Sequence, residues 1–439
     1  MRAFKWLTGL LIVITITLAL IPKPSVQKNR PAFLELDDPI IIDWLGQQYP
    51  LIFPPDESER ALVAEPLPAY FNTYDTLVAE NFIRDQGTAA TCWAFAANTL
   101  MEVAIAKDFG ERYDFSENHL IRNSPIPATA ESGGNFLMSW VYYLNHLGPI
   151  TEEGIISPYR PKGYYEINDD IIAIKSAILN RGAALSSIYL NEKDEAVYNK
   201  QTASYYNSQS EKRRSHELVL VGWDDHYSKE LFATKPTTDG AFIAQNSFGT
   251  GWGEKGLFYV SYEDVHIKGH VFVLDKLSYT SSNEVVYYRD ETGLTHFESI
   301  EESLTPTAIL PFVPSKNQVL KQISLYTGTS PLSLELYWGS GAFSGDLGPI
   351  RYQFDHVAKG YQTLPLPIGF SVLENEPYWV AVRFNGDKKF IVPIEAPYPG
   401  IDYTISGKPN EGYLMGAGKP VDLFTLRKNA NLAIRLIFE

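Results

Sequence analysis

Residues 85–96 decide the fold, and they read Asp85-Gln86-Gly87-Thr88-Ala89-Ala90-Thr91-Cys92-Trp93-Ala94-Phe95-Ala96. Cys92 is the only cysteine among the 439 residues, and an apolar, alanine-rich run follows it directly. The pattern predicts a helix from Cys92 to about Lys107, with Thr91 as its N-terminal cap. The sulfur would then lie at the positive end of the helix dipole, where a thiolate is favoured over a thiol.

A lone cysteine is more often a buried, inert residue than a nucleophile. Two distant segments argue against that interpretation here. His216 precedes an apolar, β-branched run that predicts a core strand, and Asn246 follows a second such run and precedes a glycine-rich turn. A cysteine followed at long range by a histidine and an asparagine is the order expected for thiol-based acyl transfer.

These motifs make the chain resemble the papain-type cysteine peptidases, from about Leu67 to about Leu277. Members of that family carry Gln-Gly-Ser-Cys-Gly-Ser-Cys-Trp-Ala-Phe, a histidine followed by an Ala/Val-rich strand and Gly-Tyr, and Lys-Asn-Ser-Trp-Gly with Gly-Trp-Gly after it. Two shorter segments are also similar to family motifs, namely Ser116-Glu117-Asn118-His119-Leu120 and Gly133-Gly134-Asn135.

The resemblance implies a role for each matching residue. Cys92 would be the nucleophile, His216 its acid and base, and Asn246 the group that orients the imidazole. The Gln86 amide would stabilise the oxyanion together with the Cys92 backbone N–H, as this chemistry requires. The substrate would contact four further residues: Gly133, Gly134, Ala90 and Trp252.

The chain departs from the family pattern at three positions. Ala89 replaces a cysteine that normally forms a disulfide, so this chain holds its fold without one. Ala90 replaces a glycine at the entry to the specificity pocket, where the added methyl group would narrow the pocket. Phe248 replaces the tryptophan that shields the histidine–asparagine contact, and we expect it to exclude water less completely.

The N-terminal residues indicate export. A positively charged start is followed by an apolar stretch from Leu7 to Ile21, which predicts a signal peptide or membrane anchor over residues 1–26. Residues 27–66 are acidic and contain several prolines, which is typical of a linker or a short leader. The peptidase domain is expected over residues 67–281. Further helices are expected from Asn135 to about His146 and around Asp169 to Asn180, and the polar residues 192–214 before His216 are expected to form an exposed loop.

After residue 282, short alternating runs separated by Gly, Pro, Asn and Ser predict an all-β sandwich over residues 282–439. Its arrangement is similar to the lectin-like module of bacterial surface peptidases. The expected class is therefore α+β: a papain-like two-lobe catalytic domain, with a helical lobe and a β-barrel-like lobe, followed by an all-β sandwich.

Composition limits the partners. A net charge of −15 without a basic patch argues against nucleic acid, and no cofactor or metal-binding motif is present, so none is expected. The leading hypothesis is a secreted or surface-attached peptidase that cuts polypeptides, with a C-terminal domain that binds a glycan or other cell-surface ligand. The alternative is a noncatalytic adhesion protein that keeps the papain-like fold.

Overall fold

The computed structural model describes ten ranges of the chain: residues 40–42, 48–50, 66–77, 82–191, 193–279, 283–298, 305–328, 332–385, 392–397 and 405–439. Within the described residues, the α-helices longer than one turn end by Arg181 and strands predominate beyond it, which confirms the expected α+β class with a β-rich C-terminal part. The predicted signal or anchor over residues 1–26 lies outside the described residues. Among the helices described, none is both long and apolar enough to cross a membrane.

The longest helix of the described ranges begins at Cys92, as the sequence predicts. It is buried on all sides from Cys92 to Ala106 except at Phe95, and Gly110 ends it in the left-handed conformation with φ of 71°. Glycine suits this position because it adopts positive φ without steric cost. The helices are α1 (Cys92–Phe109), α2 (Glu117–Asn123), α3 (Phe136–Leu144), α4 (Ile171–Arg181) and the single turn α5 (Leu423–Leu426).

The helices start where side-chain caps are available. Ser116, Asn135 and Asp170 each accept a hydrogen bond from a backbone N–H in the first turn of α2, α3 and α4. Such caps satisfy amides that have no partner within the helix. The two later helices therefore begin within two residues of their predicted starts at Asn135 and Asp169.

The papain-like region also contains strands, most of which follow α4. Its central strand runs from His216 to Asp224 and pairs on both sides with antiparallel neighbours. The strands of the first 280 residues are β1 (Ile40–Ile42), β2 (Gln48–Pro50), β3 (Tyr70–Asn72), β4 (Tyr159–Pro161), β5 (Tyr164–Ile167), β6 (Ala184–Ile188), β7 (Tyr198–Asn199), β8 (Ser204–Tyr205), β9 (His216–Asp224), β10 (Ala241–Gln245), β11 (Leu257–Ser261), β12 (Val271–Leu274) and β13 (Leu277–Tyr279).

The regular structure described in the C-terminal part consists of strands apart from the turn α5. Two layers enclose a second hydrophobic core, one of them a sheet in the order β19-β18-β21-β16-β23-β24. The strands are β14 (Val285–Tyr287), β15 (His296–Glu298), β16 (Thr307–Phe312), β17 (Gln318–Thr327), β18 (Leu332–Ser340), β19 (Tyr352–Val357), β20 (Gly360–Val372), β21 (Tyr378–Asn385), β22 (Val392–Glu395), β23 (Tyr413–Met415), β24 (Val421–Asp422), β25 (Asn431–Leu432) and β26 (Ile434–Phe438).

One β-sheet joins the papain-like region to the C-terminal part. Strand β20 pairs with β5 at Tyr361 and Tyr164, so one sheet runs from the C-terminal part into the papain-like region. Trp140 of α3 packs edge-on against both tyrosine rings, with centroid distances of 5.3 Å and 4.8 Å. The C-terminal part therefore packs against α3, the helix that follows the Gly133–Gly134 segment.

Two segments differ from the sequence-based expectation. Residues 192–214 were expected to form an exposed loop, but Tyr205 and Asn207 are fully buried and β8 pairs in parallel with β11. The aromatic Tyr205 side chain overrides the polar character of its neighbours because it fills the core of the β lobe. The expected linker contains β1 and β2, and β1 pairs in parallel with β15 of the C-terminal part.

Candidate active site

Cys92 lies at the first position of α1. Its side chain is nearly buried, with 7% of the residue exposed. The hydrophobic clusters of the described residues include its neighbours Trp93 and Ala94 but not Cys92. The thiol therefore lies at the margin of the core, which differs from an inert cysteine that fills it.

The predicted capping hydrogen bond of Thr91 is wrong, although the helix begins at Cys92 as expected. Thr91 occupies the capping position, but its side chain accepts no hydrogen bond from the helix. Its backbone, with φ of −117° and ψ of 13°, is not in the extended conformation that Asn135 and Asp170 adopt as caps. An extended cap directs the side-chain oxygen at the first-turn amides, and this backbone does not. The argument from the helix dipole is unaffected, because it depends on the position of Cys92 alone.

His216 and Asn246 are joined although 30 residues separate them. The Nε2 atom of His216 lies 2.6 Å from Oδ1 of Asn246, and the Oδ1 atom also accepts the Ser247 N–H at 2.8 Å. His216 opens β9 and Asn246 directly follows β10, so the pairing of these strands brings the two side chains together. Because Oδ1 can only accept, Nε2 carries a proton and Nδ1 is the ring atom left for proton exchange with a thiol.

An aromatic layer covers this pair. The Phe248 ring lies 5.2 Å from the His216 ring, and the Trp252 ring meets Phe248 edge-on at 5.6 Å. Trp252 in turn stacks on Tyr198 at 5.2 Å with an interplanar angle of 6°. His216 and Asn246 are only 3% and 1% exposed. Phe248 therefore covers the contact where the resemblance expects a tryptophan.

The loop before Cys92 is tied to the turn that carries Asn246. The Gln86 N–H donates to Ser247 O at 2.9 Å, and the Gly249 N–H donates to Arg84 O at 2.9 Å. The Ser247 hydroxyl also donates to Oε1 of Gln86. These contacts bring Gln86 to the same region as His216 and Asn246, with Cys92 six residues further along the chain.

One of the two N–H donors of the Gln86 side-chain amide is not used in the contact to Ala89. Its Nε2 atom donates to Ala89 O at 2.6 Å, and a primary amide carries two N–H donors. The second donor is available for a negatively charged oxygen. Ser247 was not singled out from the sequence as a site residue, and only its position next to Asn246 pointed to it.

The glycine pair lies against the tryptophan that follows Cys92. Gly133 has φ of 73°, which favours glycine, and a Cβ atom at Gly134 would lie 2.5 Å from the Trp93 ring. The Ala90 N–H donates to Ala130 O at 2.7 Å, so the loop before Cys92 and the segment leading to Gly133 are joined. The structure thus brings the predicted substrate-contacting residues Ala90, Gly133 and Gly134 together near Cys92.

Two buried glutamates, Glu102 of α1 and Glu117 of α2, form an acidic cluster beside α1. Glu102 of α1 accepts the Phe115 N–H at 2.8 Å, and Arg84 lies 3.8 Å from its carboxylate. Glu117 accepts from Asn98 at 3.3 Å, and its burial raises its pKa to about 7. Within the described ranges, no cluster of His, Cys, Asp and Glu is arranged to hold a metal ion.

Two protein families match this chain. Residues 67–164 and 152–273 match the Papain family cysteine protease family, and residues 286–437 match the Lectin like domain family. The curated relatives include a cathepsin L-like protein of Caenorhabditis elegans, 26% identical over 216 residues that cover 45% of this chain and 59% of the relative. A cathepsin B-like protein of Giardia intestinalis is 26% identical over 40% of this chain and 62% of its own length. The match thus spans about 60% of the length of these relatives.

Solved structures match the whole arrangement. The cysteine protease and lectin-like domains of Cwp84, a surface layer associated protein of Clostridium difficile, align with a TM-score of 0.77 at 19% identity. That alignment covers 92% of this chain and 93% of the other. A clostridial Cwp84 after propeptide cleavage aligns with a TM-score of 0.75 at 21% identity, over 84% of this chain and 99% of the other. At this identity the likeness establishes the fold.

Proposed function

We propose that this chain, a papain-family cysteine peptidase domain joined to a lectin-like domain, hydrolyses polypeptides through a thioester on Cys92. The hydrogen bond between His216 and Asn246 is the observation that carries the proposal. This bond fixes the orientation of the imidazole so that Nδ1 can exchange a proton with a thiol. A noncatalytic protein would not need such a bond. The matched families and the position of Cys92 at the start of α1 support the same assignment.

The reaction follows from these groups. The Cys92 thiolate attacks the carbonyl carbon of the scissile bond, and the carbonyl electrons move onto oxygen. The C–N bond then breaks, and the imidazolium of His216 gives its proton to the departing amine. Water next attacks the thioester, His216 takes a proton from that water, and the Cys92 sulfur leaves.

The tetrahedral intermediates need donors for their charged oxygen. We assign this role to the second N–H of Gln86 and to the Cys92 backbone N–H, because preorganised donors stabilise charge that develops in the transition state. Gly133 and Gly134 would bind the substrate backbone, since Gly134 lies beside Trp93, which directly follows Cys92. Ala90 and Trp252 would line the cleft.

We further propose where the protein acts and which segment of the chain has which role. Residues 1–26 would direct export or anchor the protein, and residues 67–281 would form the peptidase domain. Residues 282–439 would bind a glycan or other cell-surface ligand and so localise the enzyme. The surface-layer association stated for Cwp84 supports a secreted or surface-attached protein.

An unbiased peptide library tests the activity. The full chain is incubated with reductant and the library, beside a Cys92→Ala control, and the products are identified by mass spectrometry. We expect products from the wild type that the control lacks. Identical product profiles would leave the noncatalytic adhesion protein as the remaining hypothesis.

A further inference from the structure

Glu217 directly follows His216 in β9. Successive side chains of a strand point to opposite faces, so Glu217 shares its face with Val219 and Val221. Those valines pack in the hydrophobic core that α1 and α3 also form. Glu217 therefore points from the β lobe toward the helical lobe, next to the residue proposed as the catalytic base.

The Glu217 carboxyl group makes a contact between the lobes. Its Oε1 atom accepts the Phe136 N–H at 2.9 Å. Phe136 is the first residue of α3 and lies two positions after Gly134. Amides in the first turn of a helix have no intrahelical partner, so this one is available for Glu217. One hydrogen bond thus joins the strand that carries His216 to the segment that carries Gly133 and Gly134.

A glutamate is a costly residue at this position. Glu217 is 2% exposed, and its Oε2 atom is buried without a hydrogen-bond partner within the described residues. Burial raises its pKa to about 8, and the Phe136 hydrogen bond opposes that shift. An apolar residue would avoid the cost, and the papain-type pattern has an Ala/Val-rich strand here. Buried polar groups that break a local rule without evident compensation often serve function.

We propose that Glu217 is a positioning residue that holds the Gly133–Gly134 segment at a fixed distance from His216. Because Glu217 is almost fully buried and bonded to Phe136, it acts through the position of that segment. Its effect is on the affinity for the peptide backbone, whereas the reactivity of Cys92 depends on His216 and Asn246. The assignment rests on the proposed peptidase function and adds a determinant of substrate binding to it.

Three substitutions in the full chain separate this role from a general structural one. Glu217→Met has similar length but no acceptor, Glu217→Asp keeps the carboxyl group but is one methylene too short to reach the Phe136 N–H, and Glu217→Gln keeps an acceptor at full length. We expect Met and Asp to raise KM for a library-derived fluorogenic peptide about fivefold with kcat within about twofold of wild type. Glu217→Gln should restore KM.

Alkylation by iodoacetamide provides the second measurement, because this small reagent probes Cys92 without occupying the peptide-binding segment. Its second-order rate should match wild type within about twofold in all three variants. Two results overturn the proposal: an unchanged KM in the Met and Asp variants, or a parallel loss of alkylation rate and kcat. If the Met variant does not fold, judged by circular dichroism, the Asp and Gln pair decides.

A binding measurement separates this proposal from the peptidase function itself. In the Cys92→Ala background, the anisotropy of dye-labelled denatured casein reports binding without cleavage. A wild type that does not cleave would end the peptidase proposal, whereas weaker casein binding on adding Glu217→Asp would still support the role of Glu217. Casein binding that Glu217→Asp leaves unchanged, or no binding at all, overturns it.

Discussion

The Ser247 hydroxyl donates a hydrogen bond to Oε1 of Gln86, across a sequence separation of 161 residues. The residue after Asn246 therefore orients the amide that we assign to the oxyanion. Since the same turn holds the His216 imidazole through Asn246, one short segment positions both the proposed base and the proposed oxyanion donor.

Replacing Gln86 and Ser247 tests this coupling. Gln86→Ala removes a donor to the oxyanion, and we expect kcat to fall about 100-fold or more. Ser247→Ala leaves the donor in place but releases its orientation, so a fall of about fivefold is expected, the equivalent of one neutral hydrogen bond. The measurement is kcat on a fluorogenic peptide found in the library experiment.

The double variant provides the control. If Ser247 acts through Gln86, adding Ser247→Ala to Gln86→Ala produces little further loss, because residues that act as a unit are not additive. A full additional loss in the double variant would mean that Ser247 acts independently of Gln86.

Asn246 is expected to set the pH range of activity. In Asn246→Asp the Oδ1 acceptor remains, and a carboxylate replaces a side-chain amide whose Nδ2 atom is buried without a partner within the described residues. A negative charge beside an imidazolium favours its charged form and raises its pKa. Because the imidazolium must be present for the thiolate pair, the alkaline limb of kcat/KM should move to higher pH.

Asn246→Ala is the matched control, since it removes the acceptor and adds no charge. Activity should fall by about tenfold or more, the value of an orienting hydrogen bond to an ionised group. The alkaline limb should not move upward in this variant. An equal upward movement of the limb in both variants would contradict the assigned role of the charge.

Much of the site was predictable because its residues fall at the ends of regular elements. Cys92 starts a helix that propensity and apolar content indicate, and His216 and Asn246 border strands with strong β-branched runs. A strand end fixes where a side chain lies, so the order of the motifs was enough to indicate that His216 and Asn246 meet.

Long-range details were not predictable. The failed Thr91 cap depends on a backbone angle, and the burial of Tyr205 depends on a core supplied by distant strands. The Glu217 contact to Phe136 joins residues 81 positions apart, and the glutamate is a strand residue whose partner lies on another lobe. Sequence periodicity identifies which face of an element is apolar, but not which element packs against it.

A buried ion pair within the C-terminal part holds an arginine that also contacts the end of α3. Arg435 of β26 contacts both carboxylate oxygens of Asp290 at 3.0–3.1 Å and donates to Leu144 O at the end of α3 at 2.9 Å. Both side chains are at most 1% exposed. Arg435→Met leaves the Asp290 carboxylate buried and unpaired, so the free energy of unfolding in urea should fall by about 3–5 kcal/mol.

Two controls accompany this measurement. Adding Asp290→Asn to Arg435→Met removes the stranded charge and should recover part of the loss. Lys235→Ala breaks an ion pair with Glu230 whose side chains are 52% and 64% exposed, and it should change stability by less than about 1 kcal/mol. Equal effects of Arg435→Met and Lys235→Ala would refute a stabilising role for the buried pair.

Glu117 is expected to make stability depend on pH. Burial raises its pKa from 4.5 to about 7 in the folded chain, so the folded state binds this proton over a range in which the unfolded state has released it. Stability therefore falls as pH rises from about 4.5 to 7, by on the order of 3 kcal/mol from this group. Glu117→Gln cannot ionise and keeps an acceptor for Asn98, so its advantage over wild type should grow across that range.

The comparison uses urea unfolding of both proteins at several pH values between 4.5 and 8. The difference in the free energy of unfolding between Glu117→Gln and wild type should grow in favour of the variant from about pH 4.5 to about pH 7 and then level off. Glu131→Gln, at an exposed position of the loop after α2, serves as the control and should track wild type at every pH. A difference between wild type and Glu117→Gln that is independent of pH would mean that the carboxyl group of Glu117 titrates as it does in the unfolded chain.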